Sequence, residues 1–440
     1  MILFYFQVNK YLHTMKLTEE KLSIVFTQNV TELANMFSSR NHEIRVVGGA
    51  VRDLLMDINS TDSDFATTAT PDQMKAMFNE ENVRILNRKG EMHGTVAVKF
   101  NDEDFEFTTL RIDEETDGRH ARVKFVTDWT LDAARRDFSI NALYLSKDGT
   151  IFDYFDGIEH LKQRKLIFIG DKDIRLQEDY LRILRYFRFF GRISSDEDRH
   201  DPEMLDSISK HASGLAKLSG QRIWKELSKI IKLKTAPKLF TTMVECGIAP
   251  HVSLPTNFDC DNLVKLFDNL ENCDIQIENV HHMTLIASGF KNVEDCCIFI
   301  DRIKCSKFEK ELLLFIVNKR DEFSTITEFK ILQDTLIDMI FIDRQNRATS
   351  LSLFAELLKY SCNKDLIREF DSWEVPIYPI RGQVLREIVK SNKNINSINH
   401  ELIELWKKSN YSLNDKELLV SLKNNKLCHA DKIDKVVNEL

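Results

Sequence analysis

The sequence predicts an α+β protein in which a sheet-containing region precedes a long helical one. Short β-branched and aromatic runs at residues 44–47, 95–100, 105–109, 151–154 and 166–169 predict strands. After residue 170, apolar residues recur at spacings of three and four, which is the pattern of amphipathic helices. A chain of 440 residues is too long for one compact core and suggests about two to four domains.

Helices are expected in both regions. Residues 15–37 have helical spacing, and a second helix is expected over residues 71–78, because Thr70 can cap it and Pro71 occupies its first position. Beyond residue 170, helical spacing covers residues 173–190, 221–231, 351–360 and 398–406.

The bulk properties exclude several classes of protein. A net charge of −8 does not indicate a generally basic, nucleic-acid-binding surface, so any RNA-binding surface must be local. The eight cysteines form no CxxC or Cys/His pattern, which argues against a zinc site and a disulfide framework and favours a reducing compartment. No segment approaches the roughly 20 apolar residues of a membrane span, so no membrane partner is expected.

Residues 1–14 form an apolar and aromatic leader ahead of a second methionine, Met15. The leader is interpreted as a possible targeting extension, although it lacks the arginines and serines typical of a transit peptide. Depending on the start codon, the protein is therefore expected in mitochondria, in the cytoplasm and nucleus, or in both settings.

A diglycine follows the first predicted strand, in the run GGAVRD at residues 48–53. Glycines at a strand-to-helix turn let backbone N–H groups approach a phosphate, and Arg52 lies one turn into the helix that follows. Taken alone, Gly48 and Gly49 are more often only a turn. The run matches neither GxGxxG nor GxxxxGK[ST], so a dinucleotide fold and a P-loop are not predicted.

Two aspartates, Asp62 and Asp64, lie ten and twelve residues beyond Arg52. On a strand, residues two apart project to the same side, so both carboxylates can converge on divalent metal ions and a triphosphate. Acidic runs are usually solvated loop charge, which is how residues 102–104 are interpreted; Asp62 and Asp64 differ in following a phosphate-binding turn. Glu106 is either a third metal ligand or an outward-facing strand residue, and it is not included in the predicted site.

Charged groups recur in two later motifs. In RRDF, at residues 135–138, a guanidinium can bind a triphosphate and Asp137 a ribose hydroxyl, although a salt-bridged helix start is the commoner arrangement. In EDYLRILRYFR, at residues 178–188, helical spacing puts Asp179, Arg182 and Arg185 on one face, with Arg188 beside them. Asp and Arg together offer acceptors and donors that can pair with the edge of a base.

Between the two regions, residues 116–125 are interpreted as a loop with a basic arm. Arg119, His120, Arg122 and Lys124 would follow a phosphate backbone there. This arm would be the local basic surface that the acidic total conceals.

In this order and spacing, GGAVRD, DSD, DGRHARVKF, RRDFSINA and EDYLRILR resemble the motifs of the class II tRNA nucleotidyltransferases, the CCA-adding enzymes of bacteria and eukaryotes. The resemblance extends from about Met15 to the end of the chain and is closest to the eukaryotic type. It implies a polymerase-β-type nucleotidyltransferase head with a mixed sheet, followed by an all-α neck, body and tail. The implied bounds are 1–14 for the leader, 15–172 for the head, 173–228 for the neck, 229–344 for the body and 345–440 for the tail.

The resemblance also implies a role for each matching residue. Asp62 and Asp64 would be the catalytic metal ligands, and the remaining roles fall to the nucleotide. The residues implied for nucleotide binding are Gly49, Arg52 and Arg136 for the triphosphate, Asp137 for the ribose, Asp179 and Arg182 for the base, and Arg185 and Arg188 to complete the pocket.

The implied activity is the sequential addition of C, C and A to the 3′ end of tRNA from CTP and ATP, with Mg²⁺ as cofactor and no template. The tail would bind tRNA, and the protein would be a monomer or a homodimer. A poly(A) polymerase, or a relative that adds only CC or only A, shares these motifs and remains an alternative. A non-catalytic RNA-binding module of the same fold is a further alternative, against which the intact DSD argues.

Overall fold

The computed structural model describes residues 12–58, 64–86, 94–116, 121–194 and 199–440. The described chain forms two compact units. The first contains the residues up to Thr256 together with Arg302–Lys304, and the second contains Asn257–Asp301 and Cys305–Leu440.

A mixed sheet dominates the first unit. Eight described strands lie in the order β1-β10-β9-β2-β3-β6-β5-β4, and of the pairs between them only β3 and β6 run parallel. Strands β7 and β8 form a separate antiparallel pair. The bounds are β1 His13–Lys16, β2 Ile44–Val47, β3 Asp64–Thr67, β4 Arg84–Leu86, β5 Thr95–Phe100, β6 Glu103–Thr109, β7 Arg111–Thr116, β8 Ala121–Phe125, β9 Leu143–Leu145 and β10 Thr150–Asp153.

Helices of the first unit pack on this sheet and continue beyond it. Thr70 begins α4 with a reciprocal capping box to Gln73, and Pro71 occupies the first turn, as the sequence predicts. The bounds are α1 Glu19–Val25, α2 Gln28–Ser38, α3 Gly49–Leu55, α4 Pro71–Glu80, α5 Trp129–Ala134, α6 Gly157–Lys162, α7 Lys172–Glu178, α8 Leu181–Ile193, α9 Pro202–His211, α10 Gly220–Ile230 and α11 Ala236–Glu245.

The sheet buries apolar residues on both faces. One face, which includes Phe65 and Phe107, forms the larger core with residues of α2, α3 and α4. The other face carries Val47, Ala66 and Tyr144, and packs against α5. Because side chains alternate along a strand, β2, β3, β9 and β10 contribute to both cores.

The second unit is helical throughout its described elements. It has a core of its own around residues of α19 to α22, where Trp406 is fully buried. The bounds are α12 Cys260–Asn272, α13 His282–Ala287, α14 Val293–Ile303, α15 Lys307–Phe323, α16 Phe329–Ile337, α17 Arg347–Ser361, α18 Lys364–Ser372, α19 Gly382–Ile388, α20 Ile395–Lys408, α21 Asp415–Ser421 and α22 Ala430–Glu439; the last two residues of α14 belong to the first unit. None of the helices in the described residues is both long and apolar enough to cross a membrane.

Four sequence-based predictions of secondary structure are wrong, and three of them concern the sheet region. The helix expected over 15–37 begins only at Glu19, because Met15 lies on edge strand β1, paired with β10. The strand expected over 166–169 is reduced to a single bridge between Phe168 and Phe138. In the expected loop at 116–125, Thr116 ends β7 and residues 121–125 form its antiparallel partner β8; residues 117–120, which include Arg119 and His120, lie outside the described residues.

The long helix expected over residues 173–190 is interrupted at Asp179. Helix α7 ends at Glu178, Asp179 is extended with φ −152° and ψ 103°, and α8 begins at Leu181. Asp179 Oδ1 accepts a hydrogen bond from the backbone N–H of Leu181 at 3.1 Å. A short carboxylate that bonds to the backbone in this way favours a helix start over a helix interior.

Candidate nucleotide-binding and catalytic site

One cavity of about 870 Å³ lies within the first unit, between the sheet and helices α3, α8 and α10. Its lining includes eight arginines and two lysines but only four aspartates, and such a surplus of cationic groups suits a ligand with several negative charges. Nine of the ten predicted site residues line it: Gly49, Arg52, Asp64, Arg136, Asp137, Asp179, Arg182, Arg185 and Arg188. The tenth, Asp62, lies outside the described residues.

The diglycine forms the turn from β2 into α3. Gly48 has φ +71° and ψ −122°, a conformation open to glycine but not to residues with a Cβ. A Cβ at Gly48 would still have space, since Nη1 of Arg136 and the carbonyl oxygen of Asn141 would both be 3.6 Å away. At Gly49, φ is not positive, and a Cβ would lie 3.6 Å from Nη2 of Arg52. Backbone conformation therefore requires glycine at 48, whereas glycine at 49 leaves space beside a guanidinium.

Arg52 is only 3% exposed and lies behind this turn. Its Nε and Nη2 donate to Oδ1 of Asp53 at 3.0 and 2.8 Å, and its Nη1 donates to Oδ1 of Asn141 at 2.6 Å. Arg192 of α8 binds the other carboxylate oxygen of Asp53 at 2.8 Å. Burial lowers the pKa of Arg52, and Asp53 opposes that shift. The acid therefore helps to keep a positive charge beside the glycine turn.

Asp64 is placed beside the turn by strand register. It pairs with Val47 across β2 and β3, and with Glu106 across the parallel pair β3 and β6. Register partners project to the same side of a sheet, so Asp64 and Glu106 share the face that carries Val47. Glu106 is therefore a neighbour of Asp64, in agreement with the possibility of a third carboxylate. Among the described residues, no group of three or more His, Cys, Asp or Glu side chains is arranged around a metal position.

Arg136 is oriented by two buried groups that were not predicted from the sequence. Asp132, 1% exposed, accepts from Arg136 Nη2 at 3.0 Å and from Arg135 Nη2 at 2.8 Å. The hydroxyl of Tyr144 accepts from Arg136 Nε at 3.0 Å and donates to Asp132 at 2.7 Å. Burial by itself would raise the pKa of Asp132, but Arg136 and Arg135 outweigh it and hold that pKa well below its usual value. The motif therefore forms salt bridges at the end of α5, and these contacts fix the orientation of the Arg136 guanidinium.

Asp137 is buried between backbone and side-chain donors. Its Oδ1 accepts from the N–H of Phe138 at 2.9 Å and from Asn141 at 3.2 Å, and its Oδ2 accepts from Nε of Arg185 at 2.7 Å. Burial opposes the charged form, but Arg185 and these donors keep the pKa of Asp137 below its ordinary value. The segment predicted as a strand contributes here, since the N–H of Ile169 donates to the carbonyl of Asp137 at 3.0 Å.

Asp179 and Arg182 reach the cavity from the junction of α7 and α8, not from one continuous helical face. Asp179 Oδ2 accepts from Nη2 of Arg222, on α10, at 2.8 Å. Arg182 Nη1 donates to Glu178 at 2.6 Å and to the carbonyl of Arg175 at 2.7 Å. The two side chains predicted to bind a base are therefore held by partners on either side.

The arginines of α8 are also paired with acids. Arg188 Nη1 lies 3.0 Å from Glu226 of α10, and Arg185 binds Asp137 at 2.6 Å. Glu226 and Arg222 were not predicted because they are distant in sequence from the residues they bind. By contrast, Asp132 and Arg136 are four residues apart, a spacing that favours a helical ion pair and was available in the sequence.

Comparisons with known proteins identify matching family models and a similar relative. The family model of the poly A polymerase head domain matches residues 44–167, and that of the probable RNA and SrmB-binding site of polymerase A matches residues 200–255. The mitochondrial CCA tRNA nucleotidyltransferase 1 of Mus musculus is 44% identical over 421 residues, which cover 94% of each chain.

Two solved structures show the same fold. The CCA-adding enzyme of Bacillus stearothermophilus, in complex with CTP, has a TM-score of 0.63 at 21% identity and covers 87% of this chain and 93% of its own. That of Thermotoga maritima, complexed with tRNA, has a TM-score of 0.61 at 16% identity and covers 93% of this chain and 98% of its own. With a polymerase-β-type head, the site motifs in order and a relative of this identity over nearly its full length, the chain belongs to the class II CCA tRNA nucleotidyltransferase family.

Proposed function

We propose that this protein adds C, C and A in turn to the 3′ end of tRNA, with CTP and ATP as substrates and without a nucleic-acid template. A single observation carries the proposal. One cavity brings together three kinds of group. They are the exposed carboxylate of Asp64 on β3, the glycine turn with Arg52 behind it, and the carboxylate of Asp179 with the guanidinium of Arg182. These are the groups needed to hold metal, triphosphate and base at one place.

The triphosphate is assigned to the turn and its arginines. The backbone at Gly48 and Gly49 allows close approach of phosphate oxygens, and Arg52 and Arg136 supply guanidinium donors. Both arginines are already hydrogen-bonded to buried acids. Because their rotamers are fixed in advance, little side-chain entropy is lost when a phosphate binds.

The ribose and base are assigned to the wall opposite the sheet. Asp137 would accept a hydrogen bond from a ribose hydroxyl, and Asp179 and Arg182 would pair with the base edge, next to Arg185 and Arg188. Asp179 and Arg182 are held by Arg222 and Glu178, which restricts their orientation. A fixed donor and acceptor pair can select C or A in place of a template base.

Nucleotidyltransferases of this family use divalent metal ions, and we assign Mg²⁺ to Asp62 and Asp64. The described part of the site fits this ion, because Asp64 offers exposed carboxylate oxygens on the cavity wall and Glu106 lies beside it on the sheet. When bound, Mg²⁺ neutralises triphosphate charge and lowers the pKa of the attacking hydroxyl.

The reaction is a displacement at the α-phosphorus of the nucleotide. The 3′-hydroxyl oxygen of tRNA forms a bond to that phosphorus and its proton passes to solvent, while the bond from phosphorus to the β-phosphate oxygen breaks and pyrophosphate leaves with the bonding electrons. Arg52 and Arg136 would stabilise the negative charge that moves onto the leaving group, which is the main task of a protein in phosphoryl-type transfer. The proposed partner is tRNA, which we assign to the helical region as well as the cavity; the relative named above is mitochondrial, and we propose a mitochondrial form here too.

The metal assignment predicts the effect of Asp64→Asn, which removes the charge but keeps the shape of the side chain. Incorporation of labelled CTP and ATP into tRNA that lacks its CCA end should fall about 100-fold or more, because several kcal/mol of transition-state stabilisation are lost. Asp102→Asn is the matched control, since Asp102 is a fully exposed carboxylate beyond β5. Gel-shift binding of tRNA should be unchanged in both variants. Incorporation by Asp64→Asn at the rate of the control would refute the assignment.

A further inference from the structure

Two cysteines of the second unit, Cys273 and Cys362, lie in contact although 89 positions separate them in sequence. The thiol of Cys273 donates to the carbonyl oxygen of Cys362 at 2.9 Å. Standard backbone dimensions then place the Cys273 sulfur within roughly 5 Å of the Cα of Cys362. Burial is the main cause that raises the pKa of Cys362 to about 12, and the neighbouring thiol of Cys273 adds to the shift. The Cys273 thiol therefore lies directly against Cys362.

The helix ends that carry these cysteines are held together by other contacts. Cys273 directly follows α12, and Cys362 directly follows α17 with a left-handed φ of 53°. The adjacent Asp274 forms an ion pair with Lys364 at 3.2 Å. Helices α12 and α17 also pack against each other. These contacts hold the two backbone segments side by side, as a disulfide between them requires.

We propose that Cys273 and Cys362 form a reversible disulfide when the protein meets a peroxide, which joins the ends of α12 and α17 covalently. Both residues are only partly buried, so a small oxidant can reach them. The inference rests on the second unit alone and is independent of the proposed nucleotidyl transfer.

The chemistry proceeds in two balanced steps with hydrogen peroxide as oxidant. The sulfur of Cys273 attacks one peroxide oxygen, and the S–O bond forms as the O–O bond breaks. The departing hydroxide takes the thiol proton as water, and Cys273 becomes a sulfenic acid. The sulfur of Cys362 then attacks that sulfur, the S–S bond forms as the S–O bond breaks, and the departing hydroxide takes the second thiol proton as water. Two thiols lose two electrons and one peroxide becomes two waters. Cys362 is assigned the second step because its raised pKa makes it seldom a thiolate, the form that attacks peroxide.

The test uses the full-length protein treated with hydrogen peroxide, followed by capping of free thiols, digestion without reduction and mass spectrometry. A peptide that links Cys273 to Cys362 should appear and should disappear after treatment with dithiothreitol. Closing a loop of this length should also raise the melting temperature by several degrees, about 5 °C or more.

Cys273→Ser and Cys362→Ser should each lose the linked peptide and the shift in melting temperature, whereas Cys297→Ser, which removes an exposed thiol of α14, should retain both. A protein in which Cys273 and Cys362 stay unlinked, or link to other cysteines, would overturn the proposal. So would a shift in melting temperature that persists in Cys273→Ser.

Discussion

At the scale of single residues, the cavity is organised by acids that hold arginines in place. Arg136 is bonded to Asp132 and Tyr144, Arg52 to Asp53, and Arg185 to Asp137. Removing one partner of such a buried pair leaves an uncompensated charge, so these acids matter for stability as well as for orientation. A cationic site that is rigid before the ligand arrives suits selective binding of a nucleotide.

Arg182 gives the sharpest residue-scale prediction. Arg182→Ala removes the guanidinium proposed to pair with the base, so the preference for CTP and ATP over UTP and GTP should fall about 10-fold or more, the value of one such pair. Single-nucleotide incorporation with each of the four triphosphates measures this preference.

Arg84→Ala, which removes an exposed arginine on β4, is the control and should keep the wild-type preference. Unchanged selection in Arg182→Ala would show that the base is recognised elsewhere.

The types and positions of the proposed nucleotide ligands were foreseeable from the sequence, but their partners were not. The motif RRDF indicated a phosphate-binding guanidinium, and Arg136 does line the cavity. Arg222 and Glu226 come from α10, more than thirty residues beyond the arginines and acids they bind, and no local pattern in a single sequence links such positions. Asp132 was the exception, because its spacing to Arg136 was visible.

At the scale of elements, the most consequential feature is the break between α7 and α8. Apolar residues recur at helical spacing across residues 173–190 because α7 and α8 each bury an apolar face. Periodicity measured over so long a segment does not reveal that two residues between the helices are not helical. The capping carboxylate of Asp179 was the local signal. Asp179 is extended and lies between the two helices, whereas Arg182 lies in the first turn of α8.

Alanine substitutions at the two glycines of the turn should have different effects, so each variant is a control for the other. Gly48→Ala should lower the free energy of unfolding by about 1–3 kcal/mol, because a Cβ is disfavoured at φ +71°. Gly49→Ala should change the free energy of unfolding by less than about 1 kcal/mol, since φ there is ordinary. Its Cβ would nevertheless occupy space beside Arg52, so the KM for CTP should rise about 10-fold, as expected for a lost charged hydrogen bond.

Urea denaturation and steady-state kinetics separate the two effects. If Gly49→Ala instead destabilises the fold and leaves KM unchanged, the turn is structural and does not bind phosphate.

At the scale of the whole molecule, the division into a sheet region and a helical region was predictable, whereas the sheet topology was not. Strands β2 and β5 have the predicted bounds because their apolar, β-branched residues are buried. Strand β7, with the sequence RIDEET, was missed because its charged residues resemble a loop. The parallel pairing of β3 with β6, which places Glu106 beside Asp64, depends on contacts between distant segments.

The product of the reaction tests the central claim most directly. The purified wild-type protein should be given tRNA transcripts that lack the 3′ end, with all four nucleoside triphosphates, and the products should be sequenced. The account predicts products that are three nucleotides longer, end in CCA and require both CTP and ATP. A long adenosine tail, addition of only CC or only A, or tRNA binding without any incorporation would contradict it.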